Sequence, residues 1–154
     1  MWLLCNAVFL VPLLVVIVKS ENEKFLVFSK SKVTWYQALI ECKRIKRELA
    51  TINSEKEELE LDNFLLNNNF DKTYWMGATK EGNGEYYWAT TGEKMNYTFW
   101  VNGQPDNTKY DLNWDEGEHC LAWTVQSNQV FYGWNDVTCL EPHYYICQKF
   151  EDCD

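Results

Sequence analysis

Along the first half of the chain the apolar positions recur at helical spacing. In "VTWYQALIECKRIKRELA" Thr34 and Gln37 form a capping-box pattern ahead of Trp35, Ala38, Leu39, Cys42 and Ile45, which predicts a helix. A second box, Ser54 and Glu57, opens "EKEELELDNFLLNNN". There Leu59, Leu61, Phe64 and Leu65 read as a buried face, the acidic run as a solvated one, and Asn67 to Asn69 as the stop. After Phe70 the period changes. "YWMGAT", "EYYWAT", "CLAWTV", "VFYGWND" and "HYYICQKF" are short aromatic segments that read as strands, with "GNG" and "TTGE" as turns. Two helices followed by a run of strands predict an α+β domain with an antiparallel sheet. Neither a linker nor an internal repeat divides the chain. One segment has no apolar period: Trp100 to Cys120 is polar and rich in turn residues, and a loop of that length in a small domain is a candidate for function.

The N-terminus has another pattern. "MWLLCNAVFLVPLLVVIVKS" is an apolar run interrupted by Asn6 and Pro12 and followed by "ENEK". It reads as a secretory signal peptide over residues 1–20, with Val18 and Ser20 small enough for cleavage after Ser20. An uncleaved anchor would need cationic residues ahead of the run, and the first lysine, Lys19, lies beyond it. Residues 21–154 are therefore expected to be the mature, secreted, extracellular chain, with a short acidic tail and no membrane insertion after cleavage.

Secretion decides how the cysteines read. Cys5 leaves with the signal peptide, and Cys42, Cys120, Cys139, Cys147 and Cys153 meet an oxidising compartment, where disulfides are expected. Their spacing fits no paired zinc pattern. The odd cysteine, Cys153 in "EDCD", is either an interchain bridge or a free or capped thiol. Asn96-Tyr97-Thr98 is the single glycosylation sequon.

Charge narrows the partners. With a formal charge of −9 and an isoelectric point near 4.7, the chain lacks the basic footprint of a nucleic-acid binder. Cations suit it better. Gln104, Asp106 and Glu118 in the polar segment, with Asn135 and Asp136 in "WND", offer oxygen donors only. Such hard donors suit Ca²⁺, which takes about six to eight of them, whereas zinc favours His and Cys. The same residues on composition alone equally describe a solvated acidic loop. Catalysis finds no support: there is no HExxH, phosphate loop or GxSxG, and neither histidine lies in a nucleophile motif.

A resemblance tips the balance. "WMGA" at Trp75, "TGEKMNYTFWVNGQPDN" ending at Asn107, "EHC" at Glu118, "WNDVTC" at Trp134 and "YYIC" at Tyr144 resemble the C-type lectin domain in order and spacing, over roughly residues 25–150. The resemblance implies a double-loop domain with disulfides Cys42–Cys147 and Cys120–Cys139. By loop closure each bridge stabilises by on the order of 3 to 5 kcal/mol. It implies a calcium site on Gln104, Asp106, Glu118, Asn135 and Asp136 and a cis peptide before Pro105. Lys80, Asn107 and His119 stand where some members carry acids for an accessory ion, so one calcium is expected. Lys46 replaces the glycine usual after the first helix.

In this family sugar hydroxyls complete the calcium shell, and Gln-Pro-Asp, here Gln104 to Asp106, is the pattern associated with galactose. The implied function is a secreted, calcium-dependent lectin for galactose or N-acetylgalactosamine-type glycans. Trp114, or else Tyr110, is the aromatic expected to stack on the ring, unless either merely anchors the loop. His119 is either a side chain turned away from the ion or a pH switch; His143 is expected to be structural. The rival reading is the same fold, linked as a homodimer through Cys153, recognising a protein surface without sugar.

Overall fold

The computed structural model describes residues 23–109, 117–126 and 131–150. Strand β1 (Phe25–Val33) precedes helix α1 (Trp35–Arg44), strand β2 (Glu48–Leu49) and helix α2 (Glu55–Asn67). Five more strands follow: β3 (Tyr74–Thr79), β4 (Tyr87–Trp88), β5 (Cys120–Gln126), β6 (Phe131–Val137) and β7 (His143–Gln148). The main path of the sheet runs β1-β7-β3-β5-β6, with β2 on β7 and β4 on β3.

Both helices begin as their sequences predict. Thr34 Oγ1 accepts from the Gln37 N–H and Ser54 Oγ from that of Glu57, each at 3.3 Å, so an orphan amide of each first turn is satisfied. Helix α2 ends in the asparagine run: Asn69 takes the left-handed conformation, φ 57°, and the Phe70 N–H returns to the Leu65 carbonyl. Helix α1 ends the same way, with Lys46 at φ 57° and the Arg47 N–H returning to the Cys42 carbonyl.

The sheet has a buried face on each side, which explains why every residue of β3 is buried. Successive strand side chains point to opposite faces. On one face Tyr74, Met76, Leu121, Trp123, Trp134 and Ile146 pack with Leu61 and Leu65 of α2. On the other, Trp75, Ala122, Tyr145 and Cys147 pack with Trp35, Ala38 and Cys42 of α1. The Cys42–Cys147 disulfide joins α1 to β7, and Cys120–Cys139 joins β5 to the segment after β6.

Four expectations need correction. Strands β1 and β2 are absent from the sequence prediction. The sheet is mixed, because β3 and β7 run parallel while the other pairs are antiparallel. In α2, Leu59 is exposed, not buried. The acidic run is not wholly solvated either, since Glu58 and Asp62 are buried. Their partners explain the burial: the Trp134 indole N–H donates to Glu58 Oε1 at 3.2 Å and that of Trp123 to Asp62 Oδ1 at 2.8 Å.

Candidate metal centre

The site forms where the polar segment returns to β6. The Trp134 N–H donates to the Phe99 carbonyl at 2.7 Å, and the Val101 N–H to the Trp134 carbonyl at 2.9 Å. This close approach requires Gly133, because a Cβ there would lie 2.7 Å from the Phe99 carbonyl oxygen. The Trp134 ring is held in turn by Trp88, Tyr97 and Trp100, each packed edge-on against it. The backbone that carries Asn135 and Asp136 is thereby fixed against the start of the polar segment, three residues before Gln104.

From there the chain folds over Asp136. The Gln104–Pro105 peptide is cis, and Gln104 Oε1 accepts from the Asp106 N–H at 3.0 Å. That same N–H also reaches Asp136 Oδ1 at 3.1 Å, while the Asn107 N–H donates to Asp136 Oδ2 at 3.0 Å. The fully buried Asp136 carboxylate thus organises the turn. Thr108 adds a second link: its N–H donates to Asp106 Oδ1 at 3.0 Å and to Glu118 Oε2 at 3.2 Å, and its hydroxyl donates to Asp106 Oδ1 at 2.8 Å. These bonds, the hydroxyl first, hold the Asp106 carboxyl below the usual carboxylate range.

Consequently Asp106, Glu118 and Asp136 converge, with one oxygen from each lying within 4.8 Å of the others. Gly117 makes the approach of Glu118 possible: its φ is +105° and a Cβ would collide with the Asn107 side chain. Gln104 joins the cluster through Asp106. The Asn135 side-chain oxygen is buried and has no hydrogen-bond partner among the described residues. Lys80 brings a cation to the site, with Nζ 3.4 Å from Asp136 Oδ2.

A divalent ion of hard character fits this arrangement. The donors are all oxygen, and an unpaired buried acceptor next to Asp136 is costly unless something takes its lone pair. Three carboxylates facing one ammonium leave an excess of negative charge that a divalent cation offsets.

A family model, the lectin C-type domain, matches residues 31–149. The chain belongs to the C-type lectin family. Among C-type lectins it is 29% identical over 139 residues to salivary C-type lectin 2 of Aedes albopictus, spanning 85% of this chain and 87% of that one. It is 32% identical over 123 residues to perlucin of Haliotis laevigata, spanning 79% and 74%. The mouse scavenger receptor C-type lectin carbohydrate-recognition domain superposes with a TM-score of 0.63 at 26% identity, covering 86% of this chain and 93% of that one. C-type lectins are typically calcium-dependent and non-enzymatic.

Some expected features lie outside the described residues: the signal segment, Tyr110, Trp114 and Cys153. Within them, His119 Nδ1 lies 2.6 Å from Glu81 Oε1. His143 packs edge-on against Trp75, 5.0 Å between ring centroids, and burial lowers its pKa. Asn96 is exposed. Sequence reasoning missed Thr108, which ties Asp106 to Glu118, and the contact of Lys80 with Asp136. Thr108 carried one signal, its place two residues after Asp106, where the backbone N–H donates to the aspartate in an Asx turn. For Lys80, 56 residues from Asp136, there was none.

Proposed function

We propose that the chain is a secreted lectin that binds one Ca²⁺ and, through it, galactose or N-acetylgalactosamine-type sugars. The convergence of Asp106, Glu118 and Asp136 beside Gln104-Pro105-Asp106 carries this reading. Gln104, Asp106, Glu118, Asn135 and Asp136 would hold the ion. Calcium, when bound, supplies a centre at which two neighbouring sugar hydroxyls complete the coordination shell.

The protein's own groups then select the sugar. Asp106 and Glu118 accept from sugar hydroxyls, whereas the Gln104 and Asn135 amides can donate through nitrogen. The order of amide and acid across Pro105 therefore decides which hydroxyls meet a donor and which an acceptor. Trp114 or Tyr110 would cover the apolar face left by an axial 4-hydroxyl. Each single site is expected to be weak, and a homodimer bridged through Cys153 would raise avidity by a factor of roughly 10² to 10⁴ where the geometry of the glycan permits. The salivary and carbohydrate-recognition relatives support the reading. Two disulfides are in keeping with an extracellular location.

Affinity chromatography tests it. Retention of the mature chain on immobilised galactose in Ca²⁺, release by EDTA and passage through immobilised mannose are expected. A correctly folded, calcium-loaded chain that passes through both columns would contradict sugar recognition and favour a protein ligand.

A further inference from the structure

Lys80 follows β3 directly, and its surroundings set it apart from an ordinary surface lysine. Its side chain is 14% exposed, and the Asp136 side chain it meets is wholly buried. The ammonium also lies 5.3 Å from the centroid of the Tyr86 ring. At its base, the Lys80 N–H donates to the carbonyl of His119, the residue after Glu118, at 2.9 Å. The lysine is thus tied by its backbone to one limb of the site and by its charge to another.

Asp136 Oδ2 already accepts from the Asn107 N–H, and the ammonium takes a further direction around the same oxygen. We propose that Lys80 is a built-in counter-ion of the calcium site: it steadies Asp136 when calcium is absent and opposes calcium when calcium arrives. The inference rests on the calcium reading above. Two effects follow from one charge. Without the ion, the ammonium offsets the mutual repulsion of Asp106, Glu118 and Asp136 and keeps the Asp106–Thr108 turn assembled. With the ion, a positive group close to a shared carboxylate repels it, and in this poorly solvated position salt screens that repulsion little. Lys80 therefore holds affinity toward the weak range of extracellular calcium modules, about 10⁻⁴ to 10⁻³ M, so that the site empties when calcium falls.

Calcium titration calorimetry on the mature chain with its disulfides formed, paired with thermal unfolding in EDTA, tests this. Lys80→Met keeps the length and removes the charge; Lys80→Gln serves should the methionine variant not fold. The expected result is opposed in sign: calcium Kd falls by about tenfold, while the midpoint in EDTA drops by about 2–4 °C. Lys80→Arg, which retains the charge, should stay within about threefold of the native Kd. A merely structural lysine would weaken calcium and lower stability together. If the native chain binds calcium and the neutral variants bind it no more tightly, the counter-ion role is overturned and the calcium reading stands. If neither the native chain nor the variants bind calcium, both fall.

Discussion

Two residues apart on β6, Trp134 packs in the core while Asp136 accepts the amides of the turn at the candidate site. The Trp134 indole is held in turn by a buried acid, Glu58. Burial first, then the charge of Asp62, pushes the Glu58 carboxyl up to about 9, and burial raises Asp62 to about 6. Glu58 is thus neutral at pH 7, and its acceptor oxygen orients the Trp134 indole. A folded-state value above the unfolded one means stability that is complete below about pH 4.5 and is lost as pH rises toward 9. Where the folded chain holds one proton more than the unfolded chain, stability falls by about 1.4 kcal/mol per pH unit, a slope large enough to measure. Glu58→Gln keeps the acceptor and cannot ionise. Urea unfolding from pH 5 to 9 should show a flatter profile for the variant and greater stability than the native chain at the alkaline end.

At the scale of elements, the end of α1 carries a cost that one substitution removes. Lys46 is exposed and adopts a left-handed conformation that costs a residue with a Cβ about 1–2 kcal/mol. Lys46→Gly relieves that cost, partly offset by the freer unfolded chain. A gain of about 0.5–1 kcal/mol and a midpoint raised by about 2 °C are expected in thermal unfolding, with no change in calcium affinity. Both helices are legible in the sequence because their caps and periods are local. Strand β1 is not: "FLVFSKSKV" lacks alternation in its second half, and its register, Phe25 opposite Gln148, depends on a partner at the far end of the chain. The burial of Glu58 and Asp62 does have a local signal, for these residues share the helical spacing of Leu61 and Leu65. Their charge outweighs that spacing when the sequence is read alone, because the two indoles that receive them are remote.

Across the whole molecule, the candidate site gathers segments that sequence separates: Gln104 to Asp106, Glu118, and Asn135 with Asp136. Pairing of β5 with β6, the stitching of Phe99 and Val101 to Trp134, and the Cys120–Cys139 bridge bring them together. Oxygen-donor chemistry is readable from the residues themselves, but their meeting is not, and only the resemblance to a family supplies it. Lys80 shows the limit of that route, since a family pattern says what a position lacks and not what its replacement touches.

Galactose titrated calorimetrically into the mature chain, once in Ca²⁺ and once in EDTA, bears most directly on the proposal that sugar is held through the ion. One galactose per chain in calcium, none in EDTA, and none for Asp136→Asn at saturating calcium is the expected result. Galactose binding of equal strength in EDTA, or its absence from a folded, calcium-saturated chain, would contradict it.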